Sequence, residues 1–366
     1  MITVEGVALV WLDDELARQA QRYESTEHTL NRLWRNGVPH LSTLLYARWW
    51  QLETWLRELV YVELQAKYGV QWIDHLPKKA EQYEKNDQGQ TYMASADGAL
   101  RIAYLDVGPL FALIDSDDYW ELFEGSLIDR NVWRGRVIEL QKIRKSIAHC
   151  RRSHSDDALR MGQTLRDLEH GAFRSLAAFN RQFRVDANLS DPVVAALFGE
   201  GSTTADLIAH AQNIRDIGIQ LSYSFRPWVA TGSRSPGAPI SGCAGYLWHM
   251  SFYYRDSWLQ LDRWWKEYVE VAPEVRDYII YVTCDNLQSI SISFAAVNDA
   301  EKTNCVIRHL LDGIMYFQKR PVGEDYHAWE SEEIFRLSMT LDARIHLGSK
   351  WSVVGDETTP ITIFQA

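Results

Sequence analysis

Apolar residues recur along this chain at two different spacings, and the change between them near residue 190 is the strongest constraint on its fold. In the first half the spacing is three and four. Leu45, Trp49, Leu52, Leu56, Leu59 and Val60 fall on one side of a helix that Gly69 stops, and Leu165, Leu168, Ala172, Leu176, Phe179 and Phe183 mark a longer one. In the second half the spacing is two. Ile219, Leu221, Tyr223 and Phe225 alternate with polar residues, as do Trp248, Met250, Phe252 and Tyr254, then Ile290, Ile292 and Phe294. The longest alternation sets Phe335, Leu337, Met339, Leu341, Ala343, Ile345 and Leu347 against Arg336, Ser338, Thr340, Asp342, Arg344 and His346. Strands of this kind bury one face and solvate the other, which favours an antiparallel sheet. The fold class expected is a helical bundle followed by an α+β domain with an antiparallel sheet. At 366 residues the chain suits more than one core. The boundaries read as a helical arm over 1–41, a helical domain over 42–184 and an α+β domain over 185–366, the last edge falling where Asn188-Leu189-Ser190-Asp191-Pro192 interrupts the pattern.

Between these elements the signal varies. Residues 73–104, with Pro77, Gly89 and Gly98, read as an irregular excursion, and Asp106 to Trp120 holds an apolar segment broken early by Gly108-Pro109. From about Arg130 helical spacing returns in Trp133, Val137, Leu140, Ile147 and Ala148. After the polar break at 153–157 the long helix begins, with Ser155, Asp156 or Asp157 as its cap. Further helices are expected at about 256–270 and 299–318. The segment 231–239, rich in Gly, Ser and Pro, reads as a mobile loop.

Composition narrows the class of partner. The net charge of −11 argues against broad binding to nucleic acid, so any such contact must come from a local basic patch. The 15 Trp, 17 Tyr and 12 Phe read first as packing and second as platforms for bases. Cys150, Cys243, Cys284 and Cys305 are scattered without a C-x-x-C, which predicts a reduced, intracellular chain with no disulfide framework and no metal cluster. Residues 1–15 lack a basic leader and no apolar run is long enough to span a membrane, so the expected location is the cytoplasm.

One window carries chemistry. Between Lys142 and Arg152 the five cations Lys142, Arg144, Lys145, Arg151 and Arg152 accompany His149, with no acidic residue. Arg144 also falls where the apolar stripe predicts an apolar side chain. Desolvating a lone charge is costly, so this position needs a partner, a cleft or an interface. The plainer readings are a snorkelling side chain or buried ion pair at Arg144, and a solvated helix end whose cations face the negative pole of the helix dipole. An arginine followed by a histidine five to seven positions later occurs four times, as Arg22/His28, Arg35/His40, Arg144/His149 and Arg320/His327. Only Arg144/His149 combines the stripe position, the basic surroundings and a long helix immediately after.

Around that pair the chain resembles the HEPN superfamily. The resemblance runs from Ile128-Asp129-Arg130-Asn131-Val132-Trp133 through Ile143-Arg144-Lys145-Ser146-Ile147-Ala148-His149-Cys150-Arg151 into Asp157 and the stretch Leu165 to Glu169, with Leu52 to Arg57 as the opening helix. It covers roughly residues 42–183. The small Ala148 before the histidine is typical, whereas Lys145 stands where a polar Asn, Asp or His often follows the arginine. The resemblance implies a compact helical bundle that forms a homodimer and brings two Arg/His motifs into a shared cleft. Many members are metal-independent endoribonucleases of toxin–antitoxin, abortive-infection or other antiviral defence systems. Others have lost activity and serve as dimerisation modules or as binders of nucleotides or effectors.

These residue types suit the chemistry that the resemblance implies. RNA supplies its own nucleophile when a 2′-OH attacks the adjacent phosphate, so no metal or cofactor is called for. A histidine can take or return the proton, and an arginine can neutralise charge gathering on the phosphoryl oxygens. Lys145, Arg151 and Arg152 would hold phosphates along the RNA substrate. Five positions on a helix turn through about 140°, so Arg144 and His149 do not share a face. Either the helix breaks between them or opposite protomers supply complementary halves.

Other motifs are absent or weak. Adjacent His149 and Cys150 seldom point together, Cys243 lacks the spacing of a nucleophile elbow, and no P-loop, dinucleotide fingerprint or H-E-x-x-H is present. A nucleotidyltransferase, antitoxin or effector partner would be a separate chain. The polar strand face from Arg336 to His346 and the loop at 231–239 could bind an effector, but the face reads first as solvated.

Overall fold

The structure, a computed structural model, describes residues 28–90, 100–185, 190–230, 237–286, 288–320, 342, 344–347 and 364. After a helical segment at 28–35, helix α1 (His40–Tyr68) runs through the centre of the helical part. Its side chains Leu45, Leu52, Leu56, Val60 and Leu64 are all buried, as the spacing predicts. Gly69 ends it with φ of +58°, a left-handed conformation that suits glycine. A Cβ there would also strike the side chain of Asn298, whose Oδ1 accepts from Val70 N at 3.0 Å. The excursion expected over 73–104 is more regular than its sequence suggests, because α2 (Lys78–Gln88) lies inside it. That helix buries only Ala80, so it has almost no apolar stripe to read. Helix α3 (Val107–Ile114) carries Leu110 and Phe111 into the core, with Pro109 tolerated in its first turn.

Helices α4 (Arg130–Ala148) and α5 (Ser155–Asn180) complete the bundle. Asp129 caps α4 by accepting from Asn131 N at 2.9 Å, and Trp133, Leu140 and Ile143 point inward. The cap of α5 is His154, one residue before the expected candidates. Its Nδ1 accepts from Asp156 N at 3.2 Å, and Asp157 Oδ2 accepts from His154 N at 3.0 Å to close a capping box.

The second part is built on a six-stranded sheet in the order β1 (Phe183–Arg184), β2 (Ile217–Phe225), β3 (Tyr246–Tyr254), β6 (Ser289–Ala295), β5 (Ile279–Asn286), β8 (Ile345–Leu347). A short ribbon pairs β4 (Trp258–Leu259) with β7 (Gln318–Lys319). Every pairing in the large sheet is antiparallel except β5 with β8, which is parallel. The alternation expected over 335–347 is seen only in its last residues. Positions 335–341 and 343, the loop residues 231–236, and the arm residues 1–27 lie outside the described residues.

One face of the sheet, with Trp248, Met250, Phe252, Ile292 and Phe294, packs under α6 (Pro192–Phe198), α7 (Thr203–Ile214) and α8 (Ala300–Tyr316). The other face was expected to be solvated, and here the structure corrects the sequence reading. Strand β3 is buried along almost its whole length, including His249 and Ser251. The polar face is covered by the bundle, whose core takes in Leu247, Ile280, Tyr281 and Ala295 from the sheet. Burying hydroxyls and an imidazole requires that they bond to one another. Ser224 Oγ lies 2.7 Å from His249 Nε2, Ser293 Oγ lies 2.8 Å from His249 Nδ1, and Ser251 Oγ donates to Ser291 Oγ at 3.1 Å. The result is three layers, with the sheet between two helical ones.

A buried charge pair pins the layers together. Arg226, just after β2, donates from Nη2 to Glu63 of α1 at 2.7 Å and to Ser175 Oγ of α5 at 3.0 Å, and Trp228 Nε1 donates to Glu63 at 2.8 Å. Both charges are buried, with Arg226 at 1% and Glu63 at 0% exposure.

Candidate active site at the end of helix α4

The basic window occupies the last turns of α4 and the link to α5. The helix does not break between Arg144 and His149, because His149 N still donates to Lys145 O at 3.2 Å. That removes one of the two ways of reconciling the motif with helical geometry. With α-helical spacing kept to His149, the two residues sit about 140° apart around the axis. They do not converge within one chain.

What ends the helix is a turn of the Schellman type. Arg151 N donates to Ser146 O at 2.9 Å and Cys150 N to Ile147 O at 3.0 Å, with Cys150 at φ +50°. That position usually belongs to glycine, so the sequence gives little warning of it. The turn fixes where His149, Arg151 and Arg152 stand relative to α4. The link is then held by the cap of α5 and by a 3.5 Å approach of Ser153 Oγ to Ser42 Oγ at the start of α1.

Burial and pairing set the window apart from the rest of the bundle. Lys142, Lys145, His149, Arg151 and Arg152 are exposed, and Arg144 is half-buried rather than sunk in the stripe. None of them forms an ion pair with another described residue. Elsewhere on α4 and α5 the cations are matched. Arg136 meets Asp167 at 2.8 Å, Arg134 meets Asp115 at 2.8 Å, and Arg160 pairs with Glu139. Positive charge is therefore left over only toward the end of α4, where the exposed carbonyls of the helix attract it. His154, a second imidazole nearby that sequence reasoning passed over, is occupied as the α5 cap.

The other Arg/His spacings place differently. Arg22 and His327 lie outside the described residues, while His40 opens α1 and stacks on Trp34 with ring centroids 4.7 Å apart. Cys150 is exposed, and Cys243 is part-exposed with its Sγ toward the carbonyls of Pro239 and Ser241. Among the described residues no three His, Cys, Asp or Glu side chains cluster as metal ligands, and no helix is long and apolar enough to cross a membrane.

Comparison with known families gives one match: residues 50–170 fit the family described as Swt1-like HEPN. That interval takes in most of α1 and all of α4, with Arg144 and His149 inside it. No curated protein and no solved structure matches the chain.

Proposed function

Residues 50–170 form a HEPN-like domain, and from that premise we propose that the protein is a metal-independent endoribonuclease acting as a toxin or antiviral-defence effector. The observation that carries this reading is the unpaired basic surface at the end of α4, with Arg144 and His149 inside the matched interval. RNA enters with its phosphates along Lys145, Arg151 and Arg152. The 2′-OH attacks the neighbouring phosphorus, the bond to the 5′-oxygen breaks, and His149 serves in the proton transfers. Arg144 neutralises the charge on the non-bridging oxygens.

Because the two residues diverge around a continuous helix, the working site is composite, with Arg144 of one protomer facing His149 of its partner in a homodimer. Apolar side chains left outside on the bundle, Ile138 on α4 at 71% and Leu159 on α5 at 70% exposure, support an interface there. Residues 42–184 act as the nuclease domain and 185–366 as the domain that controls or targets it, in the cytoplasm, with any antitoxin supplied by a separate chain.

The test is cleavage of total RNA by the purified chain in the presence of EDTA, alongside growth inhibition on expression. Wild type should cut and inhibit, and His149→Ala and Arg144→Ala should do neither. A His149→Ala variant with full activity would end this reading. Lys145 after the arginine favours a second one, in which the HEPN-like domain is an inactive dimerisation or effector-binding module. A wild-type dimer that binds RNA without cutting it selects that alternative.

A further inference from the structure

A crevice opens where α1 and α5 meet the β5–β8 edge of the sheet. Trp55, Leu59, Leu176, Phe179 and Tyr281 form its walls, and its rim is part-exposed at Glu58, Asn180, Thr283 and His346. Its volume of about 40 Å³ is a measure on which one water takes roughly 10–15 Å³, so it holds about three waters, or ~90 Å³ of liquid. A single six-membered ring with its exocyclic atoms fills that space. A fused two-ring system does not.

The polar groups are few and unusually placed. Arg226 lines the crevice while its Nε and Nη2 are committed to Glu63 and Ser175, and its Nη1 is buried without a hydrogen-bond partner. His346 Nε2, on the opposite side, is likewise buried without one. Buried polar atoms left unpaired are costly, and two of them facing one apolar crevice suggest a ligand that answers both. An anion is a poor answer. The Arg226 charge is already matched by Glu63, and a second carboxylate, Glu58, stands at the rim accepting from Tyr281 Oη at 2.8 Å. A neutral ring with a carbonyl oxygen for Nη1 and a polar ring nitrogen for His346 fits instead. Flat walls of Trp55, Phe179 and Tyr281 suit stacking or edge contacts with such a ring.

We propose that this crevice binds a pyrimidine base, held by Arg226 Nη1 and His346 Nε2 between the bundle and the sheet. The site does not depend on the nuclease reading, since binding is measured directly. Isothermal titration of the full chain with uridine, cytidine, a short oligouridine, adenosine and inorganic phosphate tests it. A pyrimidine nucleoside should bind one to one, and adenosine and phosphate should not. Response to oligouridine but not to nucleosides would identify RNA as the source of the base. His346→Leu, which removes Nε2 and keeps the bulk, should weaken binding about tenfold, the size of one hydrogen bond. Leu176→Trp, which fills the crevice from α5, should abolish it, with circular dichroism reporting on folding. No binding of any pyrimidine probe, equal binding of adenosine or phosphate, or unchanged affinity in His346→Leu overturns the proposal.

Discussion

Histidines in this protein do opposite jobs, and their surroundings say which. His149 stands exposed in a basic turn, whereas His249 is sealed between two serine hydroxyls. Removing the first should cost chemistry alone. His149→Ala and Arg144→Ala are expected to lower RNA cleavage by at least about 100-fold, with thermal midpoints within a degree or so of wild type. Removing the second should alter how stability follows pH. Burial, with the Arg226 charge behind it, pulls the His249 imidazole down to about 3, and burial brings His346 to about 4. An unfolded histidine titrates near 6.5, so below that pH the unfolded chain takes up protons that the folded chain refuses. The stability these groups contribute is complete above about 6.5 and lost as pH falls toward 4 and 3, at up to ~1.4 kcal/mol per pH unit from His249. Urea titrations between pH 7 and 4.5 should give a shallower decline for His249→Gln than for wild type. The motif pair was legible in the sequence because a charge interrupted an apolar stripe. His249 was not, because in an alternating strand it looks like any other polar residue on a wet face.

Helices and strands were legible to the extent that their burial is one-sided. The spacing of α1 and α5 marked both, and the alternation in β2, β3 and β6 placed those strands. Helix α2, with a single buried residue, and the short α6 and α7 gave no comparable pattern. The polar sheet face misled for a physical reason: hydroxyls can satisfy each other as well as water can, so polarity alone does not imply solvent. Where α5 crosses the turn at 124–126, a Cβ on Gly171 would run into the carbonyl of Ser126. Gly171→Ala should therefore destabilise the chain by about 2–4 kcal/mol in denaturant titration, despite the higher helix propensity of alanine. At the other end of the motif, Cys150→Val places a β-branched side chain at positive φ. It should cost about 1–2 kcal/mol and loosen the turn that positions His149.

At the scale of the whole molecule, the bundle and the sheet are joined by charge as well as by packing. Glu63→Gln leaves the buried guanidinium of Arg226 without its counter-charge, and unfolding should become easier by about 3–5 kcal/mol. If the joint acts as one unit, near-UV signals from both parts should melt together in wild type. The joint extends into the chain trace itself, because the first residues to leave α5 become β1 and pair with β2. Recombination that lifted the HEPN-like bundle out at residue 184 would carry that strand away with it. The remaining sheet would then present the bare backbone amides and carbonyls of β2 at its rim, an adhesive border that invites pairing with other chains. Evolution can thus exchange the partner of such a bundle only by supplying a new border strand, and a graft that neglects this should aggregate.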